Sequence, residues 1–182
     1  MRSAKKIVPL FLLLLIFGSA ESQPTIPDGF SWASTGPKDC RFLLPKGWHV
    51  KTEEVKGTYG VYITKEKLEK ENTFETGFTL NVIKEIKKKT GLAASQYALR
   101  FVYNVANDKE VVKELWSSES GSFQGTGIRI RDQFKIIHFL LNANDRTDTL
   151  FVSIFESTAR KWESEWQIGR IIMTHMKLDS EI

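Results

Sequence analysis

Three histidines, His49, His138 and His175, and a lone cysteine, Cys40, are the side chains here best suited to nucleophilic chemistry. A cysteine thiolate paired with an imidazole would attack an acyl carbon, but the flanking residues such a cysteine needs are missing around Cys40. Asp39 and Arg41 bracket it at the start of an apolar stretch, where a small buried or half-buried thiol is expected. An intermolecular disulfide or a reactive thiol is the alternative. His138 falls in an apolar row with Phe134, Ile136 and Leu140 and reads as a hydrogen-bonded core or rim imidazole. His49, beside Trp48, and His175, late in a helix, read as surface residues. The chain has no Gly-x-Ser-x-Gly elbow, Walker loop, His-Glu-x-x-His helix or Cys-x-x-Cys pair. No catalytic residue, cofactor-binding residue or metal ligand is therefore assigned.

Two further groupings have simple explanations. Asn142, Asn144 and Asp148 stand at positions one, three and seven of a would-be calcium loop. Position five is Arg146, the turn glycine is replaced by Thr147, and position twelve is Ser153, so a hairpin loop is the reading. Lys84, Lys87, Lys88 and Lys89 precede Thr90-Gly91 and read as a solvated strand end and loop, with an acidic-partner or anionic-lipid contact as the alternative. Trp162 and Trp166, one helical turn apart, are expected to pack on a sheet. The competing idea makes them a wall of an apolar pocket between helix and sheet.

The elements that position these residues follow from periodicity. Phe30 to Ser34 and Arg41 to Leu44 read as strands, then Pro45-Lys46-Gly47-Trp48 as a turn. His49 to Val55 and Thr58 to Thr64 form a hairpin across Lys56-Gly57, with Tyr59, Val61 and Ile63 on one face. Phe78, Leu80, Val82 and Ile86 continue with a period of two. Ala94, Tyr97, Ala98, Phe101, Val102 and Val105 define a helix that Asn107-Asp108 ends. Glu110 to Ser117 follows, then a turn region from Gly121 to Gly127, with Ile128 and Ile130 alternating against Arg129 and Arg131.

Two later runs are apolar on both faces. Phe134 to Asn142 sets Phe134, Ile136 and Leu140 against Ile137, Phe139 and Leu141, and Leu150, Val152 and Ile154 oppose Phe151 and Phe155. Such strands need cover above and below, and the second cover is a helix from Ala159 to Met176 striped by Trp162, Trp166, Gly169, Ile172, Met173 and Met176. One helix per face predicts a three-layer α/β/α sandwich around a mainly antiparallel sheet.

Arg2, Lys5 and Lys6 precede an apolar run from Ile7 to Phe17, the pattern of a signal peptide. That run is too short for a retained membrane span. Cleavage after Ala20 or after Ser22 satisfies the small-residue rule. The expected organisation is a signal peptide over 1–22, a short tether over 23–28 and a single domain over 29–179. Loss of residues 1–22 leaves 23 basic against 21 acidic side chains, a net charge of +2, which disfavours nucleic acid as a partner.

Leu44 to Trp48 (Leu-Pro-x-Gly-Trp), a mid-chain helix after a hairpin-rich half, and Phe151-Val-Ser-Ile-Phe-Glu156 leading into a Trp-bearing terminal helix together resemble the PsbP/Mog1-type fold. The resemblance covers nearly the whole mature chain and is nearest to exported bacterial PsbP-like proteins, since the leader lacks plastid transit composition. It implies a non-catalytic accessory or binding protein of the cell envelope, periplasmic or secreted, that presents a rigid sandwich to a protein partner. The alternative is a carrier of a hydrophobic small molecule or lipid, and a hydrolase stands a distant third.

Overall fold

The computed structural model describes residues 25–34, 40–68 and 73–182; in the long strand that follows the main helix, the side chains at 114 and 115 are outside the description. The expected signal peptide and its cleavage site lie outside the described residues.

Seven antiparallel strands make the central sheet: β3 (His49–Val55), β4 (Thr58–Thr64), β5 (Gly77–Lys84), β6 (Glu110–Ser120), β7 (Phe123–Asp132), β8 (Lys135–Asn144) and β9 (Thr149–Thr158), in spatial order β3-β4-β5-β9-β8-β7-β6. A separate hairpin pairs β1 (Phe30–Ser34) with β2 (Arg41–Pro45). Helix α1 (Ile86–Thr90) is a single turn leading to α2 (Ala94–Asp108), and α3 (Trp162–His175) closes the fold.

One helix lies on each face, which gives the expected α/β/α sandwich. On the first face α2 turns Ala94, Ala98 and Val102 onto Ile128 and Ile130 of β7, Phe139 and Leu141 of β8, and Leu150 and Val152 of β9. Two alanines in its contact stripe let the helix sit close to the sheet. On the second face α3 and the β1–β2 hairpin cover Val61, Ile63, Phe78, Leu80, Val82, Phe151 and Phe155. Gly169 makes that contact possible, because a Cβ there would lie 2.5 Å from the Phe155 ring. The end of the chain is stitched to β2 by paired backbone bonds between Arg41 and Lys177, at 3.0 and 2.8 Å.

Five local expectations are corrected. Ile86 does not continue the β5 row: Glu85 takes a left-handed φ of 58°, which ends the strand. Ile86 thus opens α1 and enters the α2-side core, and Lys87 to Lys89 belong to that helical turn rather than to a loop. The segment from Gly121 to Gly127 is mostly strand, since β7 starts at Phe123 and carries Gly125 and Gly127 in regular register with β6. Phe134 is not part of the apolar row of β8. The register pairs Asp132 with Lys135, so Phe134 sits in the connecting turn, 64% exposed. Finally, α3 begins at Trp162 rather than Ala159, because the Ala159 amide donates to the carbonyl of Phe134 at the β7–β8 turn.

Candidate functional site

Strand register builds the site. On the α3 face one row of opposed residues crosses all seven strands: Val50, Ile63, Phe78, Phe155, His138, Arg129 and Lys113. The first four are hydrophobic and lie against the α3-side core. The last three carry an imidazole, a guanidinium and an ammonium, so the row turns polar at β8 and cationic at β7 and β6.

Aromatic rings from β6 and α3 close over the polar end. Trp116 stacks on His138 with ring centres 4.9 Å apart, and His138 meets Trp166 at 4.3 Å. Trp166 in turn stacks on Trp162 at 5.3 Å and 11°, and both indoles rest on Phe155. The Arg129 guanidinium carbon lies 4.8 Å from the Trp162 ring centre and 4.6 Å from that of Trp166. Lys113 Nζ lies 4.6 Å from the Trp116 ring centre. These are cation–π distances.

Each ring is held in place by identifiable backbone. Trp116 opposes Gly127 across the β6–β7 ladder, and a Cβ at Gly127 would come within 2.7 Å of both the indole and the Phe139 carbonyl. Only a glycine lets the indole lie down on β7 and reach His138. Register shifts between Val111, Lys113 and Trp116 bring Lys113 and Trp116 to the same face, although they are three positions apart. The start of α3 is fixed by buried Glu165, whose Oε1 accepts from Lys65 Nζ at 2.5 Å, while Oε2 has no partner among the described residues. Lys161 adds an exposed ion pair with Glu75 at 2.9 Å.

Burial governs the electrostatics. His138 is buried, and desolvation first, then the fields of Arg129 and Lys113, push its pKa from 6.5 down to about 3. It is therefore neutral at physiological pH. Arg129 Nε and Nη2 both lie 3.4 Å from His138 Nδ1, which accepts and leaves the ring proton on Nε2. Desolvation also lowers the Arg129 pKa, opposed by the field of Glu163. An imidazole that titrates near 3 is poorly matched to acid–base work near neutrality. What the arrangement offers is recognition: flat apolar faces beside cationic N–H donors.

The expected placement of Trp162 and Trp166 against the sheet is observed, and Phe155 and Arg129 fill the space beside them. His138 is buried as expected, though its neighbours are two indoles and a guanidinium. His49 is exposed at the start of β3, His175 Nδ1 donates to the Ile171 carbonyl near the end of α3, and Cys40 is buried ahead of β2. Among the described residues, no group of three or more His, Cys, Asp or Glu side chains gathers to hold a metal. Arg129, Trp116, Lys113 and Gly127 escaped the sequence reading. The alternation of Ile128 and Ile130 with Arg129 and Arg131 did carry one signal, since it puts both arginines on the face opposite the aliphatic core.

A seven-stranded antiparallel sheet between two helices, with an accessory hairpin beside the terminal one, defines a PsbP-like fold. The solution structure of cyanobacterial PsbP from Synechocystis superposes with a TM-score of 0.55 at 12% sequence identity, over 90% of this chain and 99% of that one. At that identity the likeness concerns the fold. No family model and no curated protein matches the sequence.

Proposed function

We propose that this chain is a non-catalytic accessory protein, exported to the cell envelope by its leader, that binds a protein partner through the Lys113–Trp116–Arg129–Trp166 face. The observation that carries the reading is Arg129: a half-buried guanidinium set on two indole rings with no carboxylate partner among the described residues. Desolvating a cation without a counter-ion costs stability, and a fold that retains one has a use for it. The PsbP-like architecture supports a binding role by analogy of fold only.

Native mass spectrometry of the mature chain, isolated gently from its host's envelope fraction, tests this. A stoichiometric protein complex that Arg129→Gln dissolves is expected. A reproducible adduct of lipid mass on the monomer, without a protein partner, overturns it in favour of a carrier. That second reading rests on an open groove of about 380 Å³ beneath the end of α2, lined by Phe101, Val105, Ile130, Ile137 and Phe139.

A further inference from the structure

Resting on that partner-binding reading, we infer that the group seated on Arg129 is a carboxylate, supplied by an acidic side chain of the partner. The guanidinium has two chemically distinct surfaces. Its π faces are suited to the indoles, whereas its five N–H bonds project from the rim, in plane, and need acceptors. Inside the protein the rim meets the single lone pair of His138 Nδ1, at the long distance of 3.4 Å. One lone pair cannot serve five donors.

Neighbouring cations are neutralised while this one is not. Arg131 pairs with Glu110 at 3.3 Å, Lys109 with Asp132 at 2.9 Å, and Lys135 with Glu156 at 3.2 Å. Arg129 and Lys113, opposed in register across β6 and β7, have no ion pair among the described residues. Glu163 acts on Arg129 through its field from α3 without forming one. The unmatched pair therefore offers a planar fork with a second positive charge beside it, and a planar monoanion answers that shape. The field of Glu163, which already reaches Arg129, weighs more heavily against a dianion such as phosphate than against a monoanion.

The test follows the Arg129 Nε–H and the Trp116 and Trp166 indole N–H resonances of the labelled mature protein. The titrants are a blocked four-glutamate peptide, its glutamine counterpart, sodium acetate and inorganic phosphate. The glutamate peptide is expected to shift all three resonances saturably, with affinity falling severalfold between about 20 and 300 mM salt as screening sets in. The glutamine peptide should leave them unmoved. Arg129→Gln should abolish the response and Lys113→Gln weaken it about three- to tenfold, each variant being first checked for native indole dispersion. Unmoved resonances, an equal response to the glutamine peptide, or tighter binding of phosphate overturns the inference. Acetate as effective per carboxylate as the peptide overturns the assignment to a protein side chain. An envelope complex that survives Arg129→Gln removes the carboxylate seat but leaves partner binding standing. A clean titration with no partner in the envelope removes the partner reading alone.

Discussion

The two faces of the sheet are made by the same strands, yet they are built differently. Toward α2, strands β7, β8 and β9 send Ile128, Ile130, Phe139, Leu141, Leu150 and Val152, a mostly aliphatic layer under a helix with alanine at its contact positions. Toward α3, β8 and β7 send His138 and Arg129 in the same row to which β9 and β5 contribute Phe155 and Phe78. The first face is packed mainly from aliphatic side chains and small residues. The second carries its aromatic core outward until it meets solvent as a cation-bearing surface. The proposed recognition surface thus belongs to one side of the sheet, where Phe155 supports it from the core.

The sharpest break should come from Phe155→Ala. This fully buried ring supports Gly169, Trp162 and Trp166, and its loss is expected to cost about 3–5 kcal/mol in urea unfolding and to disperse the Trp162 and Trp166 indole signals. Leu141→Ala, equally buried on the other face, should cost about 2–5 kcal/mol while leaving those indole signals in place. If Leu141→Ala scrambled the indoles as well, the two faces would not be separable.

Acid should single out the α3 face next. His138 binds a proton near 6.5 when unfolded and near 3 when folded, so the unfolded state holds the extra proton across that window. The stability contributed by the neutral imidazole is complete above about 6.5 and is lost as pH falls toward 3, on the order of several kcal/mol. Unfolding free energies of wild type and His138→Phe compared from pH 7 to pH 4 measure this, and the variant should show the shallower decline. Parallel curves would mean that His138 is not held neutral.

Gly127→Ala is a smaller perturbation. Its methyl would collide with the Trp116 indole and the Phe139 carbonyl, which should displace Trp116 from His138 at a cost of about 1–3 kcal/mol. The Trp116 indole N–H resonance should move while the α2-side methyl resonances stay. The smallest effect on stability is expected of Arg129→Met, which removes a desolvated cation but keeps a flexible stem on the indoles. A change within about 1 kcal/mol, with loss of carboxylate binding, would separate the use of Arg129 from its contribution to the fold. A large loss of stability would make it a structural residue.

Most of the architecture was legible because it rests on local alternation. The β3–β4 hairpin, the α2 stripe, the two-faced strands β8 and β9, and the Trp162 to Met176 stripe all follow from which residues must avoid water at a period of 2 or 3.6. Local reading failed where one backbone angle or one long-range bond decides. The left-handed Glu85 turned Ile86 onto the other face, and the Asp132–Lys135 register left Phe134 in solvent. Gly125 and Gly127 looked like turn residues because a glycine in a strand can be told from one in a loop only by the side chain lying across it.

From the sequence alone came the α/β/α layering, the number of covering helices, and the burial of His138, Trp162 and Trp166, since each depends on hydrophobic period and on little else. The site had to wait for tertiary structure. Lys113, Trp116, Arg129, His138 and Trp166 come from β6, β7, β8 and α3, and spacing along the chain does not encode their meeting. Register across a sheet is a property of paired strands, and a cation's lack of a counter-ion is a property of everything that folds around it.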